Sequence, residues 1–281
     1  MRTFLITAIA VIYLTCFPND IQAQILDAKR DAELEDSINH ELFSGPYFGL
    51  YKDNYFSLGT TFPGKPTRTN SDVKFQVSIA QRITNSVLPW KTYLFLMYTQ
   101  KVFWNIFENS MPMRDLNFNP GIGLTKAFFV KGRYSGKMTL MVEHESNGRD
   151  GTSSRSWNKI SLSGSALVTP WLLVHAKYWY PIVDGMNNKD ILYYSGIFQF
   201  GAEVSAKDRR YIWSGTLVKR KGWNLNFNLS LEFAMRLFKK DNQYLFFQYY
   251  NGYGESMLDY NQFRSRLRVG ISIKPRFFSE F

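Results

Sequence analysis

The chain has 281 residues and a formal net charge of +11, and 17% of it is aromatic, with 24 Phe and 17 Tyr. No segment after the N-terminal one is apolar enough for a transmembrane helix, which needs about 20 apolar residues, so a bundle of membrane-spanning helices is excluded. The one cysteine, Cys16, lies in the first apolar segment, which excludes a disulfide framework and thiol chemistry in the remainder.

Residues 1–23 read as a secretory signal peptide. Arg2 supplies the positive start, residues 4–14 the apolar run, and Ile21-Gln22-Ala23 a small-residue cleavage site before Gln24. Tyr13-Leu14-Thr15 ahead of Cys16 is a poor lipoprotein signal, so lipidation is not expected. Residues 24–45 are charged and weakly periodic, which predicts a soluble lead-in with at most a short helix. From Pro46 onward, strand-like runs alternate with turn residues, and residues 46–281 form one domain. The runs begin near Tyr47, Val73, Lys91, Asn119, Gly136, Trp157, Leu172, Ser195, Tyr211, Trp223, Gln243 and Phe263. That makes about twelve strands, an even number, each long enough to cross a bilayer at a tilt. An exported chain that is polar on average yet this aromatic predicts an all-β fold: an antiparallel up-and-down transmembrane β-barrel with aromatic girdles. A soluble β-sandwich would show the same alternation; strand length, the signal segment and the aromatic content favour lipid. Export argues against nucleic acid as the basic chain's partner, and basic loops and lumen account for the charge.

In the third strand Tyr93, Phe95, Met97 and Leu94, Leu96, Tyr98 are both apolar sets, so its facing is open. The stretch EHESNGRDGTSSRSWNK, residues 143–159, is different in kind. By period-two alternation His144 and Ser146 continue the face of Met138, Leu140 and Val142. Asn158 falls on the face of Ile160, Leu162, Ala166 and Val168 in the next strand. Three polar groups thus share the apolar outer wall at one rim. A hairpin turn near Gly151 would set Asn158 opposite His144, with Ser146 two residues along the strand. Nucleophile, base and orienting group is the order these residue types suggest for serine chemistry. An interfacial histidine solvated at a rim is the plainer alternative. Glu143 and Glu145 alternate inward toward lumen arginines and lysines, and a glycosidase reading lacks any supporting motif. His175 shares parity with Lys177 and is assigned to the lumen, and Asp190 and Asp259 to loops. In WNLNFNLSLEF, residues 223–233, Trp223, Leu225, Phe227, Leu229, Leu231 and Phe233 oppose four polar residues and Glu232. In the last strand Leu267, Val269, Ile271 and Ile273 oppose Arg264, Arg266, Arg268 and Lys274.

The run HESNGRDGTSSRSWN resembles the active-site signature of the outer-membrane phospholipase A family. VKFQVS, YTQKVFW, SMPMRDLNFNP and GYGESMLDYN follow the family's order, and the chain ends in an aromatic residue, Phe281. The resemblance implies a calcium-dependent phospholipase of the outer membrane. Ser146 would be its nucleophile, His144 the general base, Asn158 the residue orienting the histidine, and Gly148 an oxyanion-hole donor. It further implies Ca²⁺ held by the Arg149 carbonyl and the Ser154 hydroxyl, with Ser110 supplied by a second subunit. The spacing from YTQ to Ser110 is shorter here than in the family. Gln100 matches a glutamine of the family's intramembrane dimer contact; an ordinary lumen residue is the alternative. The expected partners are membrane phospholipids and a second copy of the chain. Two other functions compete: a non-catalytic barrel, as a narrow channel or structural protein, and a serine esterase acting on other lipids.

Overall fold

The computed structural model describes residues 48–84, 88–130, 133–183, 185–239 and 241–275. The signal segment, the lead-in and Phe281 lie outside these residues. The strands are β1 (Phe48–Leu50), β2 (Asn54–Thr61), β3 (Ser71–Arg82), β4 (Tyr93–Trp104), β5 (Met113–Val130), β6 (Arg133–Ser146) and β7 (Ser156–Thr169). They continue with β8 (Leu172–Ile182), β9 (Phe198–Ser205), β10 (Tyr211–Lys219), β11 (Phe227–Arg236), β12 (Gln243–Gly252) and β13 (Arg264–Ile273). From β2 to β13 each strand pairs antiparallel with its chain neighbours, and β13 pairs with β2 to close the ring. β1 and β2 both lie along β3, Leu50 opposite Ile79 and Tyr55 opposite Gln76, so they are two pieces of one wall strand. The described residues therefore form a closed twelve-stranded antiparallel barrel, which leaves no edge unpaired.

Alternation sorts the two faces as expected. Leu267, Val269, Ile271 and Ile273 are exposed on the outer wall, while Arg266, Arg268 and Lys274 are buried inside. Charges removed from water destabilise by several kcal/mol each unless paired, so the lumen is a network of ion pairs. Arg268 reaches Asp72 at 2.5 Å and Glu255 at 3.3 Å, and Lys74 reaches Glu255 at 3.2 Å. Around the wall Lys177 meets Glu143 at 2.7 Å, and Arg209 meets Glu203 at 3.0 Å. The β12–β13 loop folds into the barrel mouth, where Met257 and Tyr260 pack with Trp157, Trp179 and Ile191. A polar cavity of about 170 Å³ remains beneath it.

Two boundaries differ from the sequence expectation. β5 begins at Met113 rather than near Asn119 and runs through Pro120. β11 begins at Phe227, so the alternating Trp223 and Leu225 belong to a turn and stand exposed. The reason is local: the Lys219 ammonium donates to the Arg220 carbonyl at 2.6 Å, the Gly222 carbonyl at 2.9 Å and Asn226 Oδ1 at 2.6 Å, drawing these residues into a loop. One helical turn, Leu192–Ser195, lies in the β8–β9 loop.

Candidate active site

The site grows out of the β6–β7 hairpin. Its register sets His144 directly opposite Asn158 and Ser146 opposite Ser156. The His144 carbonyl points away from β7 and accepts from Asn119 Nδ2 on β5 at 2.8 Å. A residue whose backbone polar groups turn away from a neighbouring strand makes a non-hydrogen-bonded pair with it, the kind whose side chains stand closest. His144 Nδ1 and Asn158 Oδ1 accordingly lie 2.8 Å apart. The amide oxygen can only accept, so Nδ1 carries the proton and Nε2 of the neutral ring is left with its lone pair. Ser146 follows two residues along on the same face, a Cα separation of roughly 6.6 Å. Among the described residues no hydrogen bond joins it to His144. Such contacts are often loose without substrate.

All three side chains are on the lipid-facing wall. Their neighbours on that face, Leu140, Val142, Ile160, Leu162 and Tyr180, are exposed, whereas Glu143, Lys159 and Ser161 on the opposite face are buried. Behind the wall the inward residues lock the hairpin. Lys159 Nζ meets Glu145 at 2.7 Å, Trp157 Nε1 donates to Glu145 at 3.0 Å, and Ser161 donates to Glu143 at 2.7 Å.

The loop 147–155 is held shut at its neck by Asn147, which is buried. Its Nδ2 donates to the Ser153 carbonyl at 2.9 Å, its Oδ1 accepts from the Arg155 amide at 2.9 Å, and its own amide donates to the Arg155 carbonyl at 3.1 Å. Gly148 follows with φ +62°, and a Cβ there would come within 2.9 Å of the Phe118 ring. Both the left-handed backbone and the ring require glycine. Asn188 grips Ser156 from the β8–β9 loop, accepting from its amide at 3.2 Å and donating to its carbonyl at 2.9 Å. Arg155 donates to the carbonyls of Thr152 and Ser154 and lies over the Tyr260 ring. Tyr260 in turn donates to Asp190. Burial, and then this bond, push the Tyr260 hydroxyl well above the usual phenol range, so it remains a donor. Arg149 donates to the Arg114 carbonyl, and Arg114 pairs with Asp259.

Arg149 and Ser154 lie on the two limbs of this one loop. A backbone carbonyl at Arg149 and a hydroxyl at Ser154 are oxygen donors of the kind that suits Ca²⁺. Two donors fall short of the six to eight that the ion takes. Among the described residues no cluster of three or more His, Cys, Asp or Glu could hold a metal. Ser110 sits in the exposed β4–β5 loop with φ +63°, at the same end of the barrel, and no described contact joins it to Arg149 or Ser154. Gln100 faces outward: Tyr93, Phe95, Met97 and Thr99 are the buried, lumenal set of β4, and Leu96 of the other set is exposed. Gln100 Oε1 accepts from Tyr98 Oη at 3.2 Å on that outer wall.

The sequence pattern of the family described as phospholipase A1 matches residues 48–273, the whole barrel. The chain belongs to the phospholipase A1 family. The phospholipase A1 of Escherichia coli strain K12 is 32% identical over 215 residues, 73% of this chain and 71% of that one. The outer membrane phospholipase A structure from Escherichia coli superposes with a TM-score of 0.71 at 27% identity, covering 82% of this chain and 99% of that one. A Salmonella typhi outer membrane phospholipase, solved as a dimer with bound calcium, gives a TM-score of 0.70 at 28% identity, covering 82% of this chain and 93% of that one.

Asn147, Asn188, Asn119 and Tyr260 were not singled out from this family member's sequence. Asparagines in loops are common turn formers, and nothing in their spacing separates these from the rest.

Proposed function

We propose that Ser146, His144 and Asn158 carry the reaction of this outer-membrane phospholipase, hydrolysis of acyl esters of glycerophospholipids on the barrel's outer wall. The observation that carries the reading is the 2.8 Å His144–Asn158 contact on a lipid-facing surface, two residues from a serine. Polar groups on that wall serve a substrate that is itself the bilayer. Ser146 Oγ attacks the ester carbonyl carbon while His144 Nε2 takes its proton, and Asn158 holds the ring in the tautomer that leaves Nε2 free. The Gly148 amide donates to the developing oxyanion. As the intermediate collapses, the bond to the glycerol oxygen breaks and His144 returns the proton to that oxygen. Water, deprotonated in the same way, then releases the fatty acid from Ser146.

The Arg149 carbonyl, the Ser154 hydroxyl and Ser110 of a second copy would hold calcium. When bound, the ion stabilises negative charge near the ester as a Lewis acid. The calcium-bound dimer of the Salmonella relative and the incomplete donor set of one chain both support this. The outward-facing amide of Gln100 supports a homodimer, since a polar group facing hydrocarbon is costly unless a partner satisfies it. The protein would arrive in the outer membrane through the export signal of residues 1–23.

The test is fatty-acid release from mixed detergent–phospholipid micelles by refolded protein, with calcium, with chelator, and with Ser146→Ala. The expected result is calcium-dependent release that falls about 10³-fold or more in the variant. A folded, dimer-competent barrel without release would overturn the assignment in favour of a non-catalytic barrel.

A further inference from the structure

The β5–β6 ladder is interrupted at the base of the site. Its register runs from Phe118 opposite Ser146 to Gly121 opposite Glu143, and Asn119 and Pro120 do not pair between them. At constant register Pro120 stands opposite His144. Proline has no N–H and removes one ladder hydrogen bond from a sheet. On its other edge β5 keeps its register, Tyr98 opposite Pro120 and Thr99 opposite Asn119, so the interruption is confined to the side facing His144. The carbonyl that would be orphaned is that of His144. Asn119 fills the gap: its Nδ2 donates to the His144 carbonyl at 2.8 Å and to Glu143 Oε2 at 3.1 Å. Its side chain projects into the lumenal cavity that Glu143 and Glu145 also line, on the opposite side of the wall from the His144 ring.

We propose that Asn119 is a positioning residue for His144, its side-chain amide standing in for the backbone amide that Pro120 lacks. The inference deepens the assignment of His144 as the base and rests on it. Without Asn119 the His144 carbonyl has no donor from β5 and the backbone at the base is free to shift. Because the ring is held to Asn158 across the other edge of β6, that shift changes the ring's reach toward Ser146. Misplacement of a reacting group by about 1 Å lowers rates as much as 10²-fold, so a partial shift is expected to lower kcat about tenfold.

The proposal makes a specific rescue available. Replacing Pro120 by Ala restores a backbone N–H opposite the His144 carbonyl. Three variants, Asn119→Ala, Pro120→Ala and the double variant, would be refolded and compared with the parent. Closed barrels would first be verified by heat-modified gel migration. Expected are a roughly tenfold lower kcat with little change in KM for Asn119→Ala, parental kcat for Pro120→Ala, and recovery in the double variant. The second readout does not require activity. The chain has three histidines, so the His144 ring resonances can be assigned at fixed pH. They should move in Asn119→Ala and return in the double variant. An Asn119→Ala enzyme within twofold of the parent, or a loss that Pro120→Ala does not repair, overturns the proposal. If the parent itself proves inactive, the functional assignment fails, while the resonances still decide whether Asn119 positions His144.

Discussion

Asn158 contributes one neutral hydrogen bond, and its effect is on ring orientation rather than on charge. A bond of this kind is worth about 1 kcal/mol, roughly a factor of five in rate. Asn158→Ala should therefore lower kcat about fivefold while leaving KM and calcium dependence near the parental values. Steady-state kinetics over a calcium titration would check this, and an unchanged kcat would remove Asn158 from the mechanism. The residues of the proposed reacting centre were readable because parity is a strict rule on a strand. His144 and Ser146 had to share a face, and that face had to be the apolar one. Asn119 was not readable, because its value lies in a carbonyl left without a donor by its neighbour, and backbone pairing is not written in side-chain pattern.

The element that matters most is the hairpin loop between β6 and β7. Asn147 closes its neck with three hydrogen bonds while buried at 3% exposure. Leaving the Ser153 carbonyl and the Arg155 amide unsatisfied would destabilise the closed loop by about 1–3 kcal/mol. Asn147→Ala is expected to raise the calcium concentration needed for half-maximal activity, because Arg149 and Ser154 lose their relative position. Amide hydrogen exchange across residues 147–155 should quicken in the same variant while the barrel strands stay protected. Faster exchange with unchanged calcium dependence would separate the loop from the ion. The strand pattern around this loop was legible, but its tips were not. Trp223 and Leu225 continue a regular alternation and yet leave the sheet, because Lys219 offers their backbone a better-bonded turn.

At the scale of the whole molecule, stability and assembly are decided by different faces of the same strands. Inside, Arg268 neutralises both Asp72 and Glu255. Arg268→Met would leave Glu255 with Lys74 at 3.2 Å and Asp72 with Arg266 at 3.9 Å, so the expected loss of stability is smaller than the roughly 3–5 kcal/mol of a pair broken outright, measured by urea unfolding in lipid vesicles. Outside, Gln100 is the proposed dimer contact: Tyr98 satisfies its Oε1, and a second copy would satisfy its Nε2. Intramembrane hydrogen bonds are worth roughly 0.6–2 kcal/mol, so Gln100→Ala should weaken dimerisation about three- to thirtyfold. Sedimentation equilibrium in detergent would register it, and unaltered dimerisation would place the contact elsewhere.

The amino-acid order alone pointed to about twelve strands, the antiparallel barrel and the lipid-facing parity of the polar residues between 144 and 158. Each of these follows from period-two alternation and local turn chemistry, which are properties of adjacent residues. The tertiary structure decided the facing of Gln100, the anchoring of the 147–155 loop and the role of Asn119. On β4 both alternating sets are apolar. Only the packing of Tyr93, Phe95 and Met97 with Tyr51, Ala80 and Met141 inside the barrel turns one set inward. The loop and Asn119 depend on partners tens of residues away in the chain, Asn188 and Tyr260 for the one and the His144 carbonyl for the other. Contacts at that separation exist only once the ring of strands has closed.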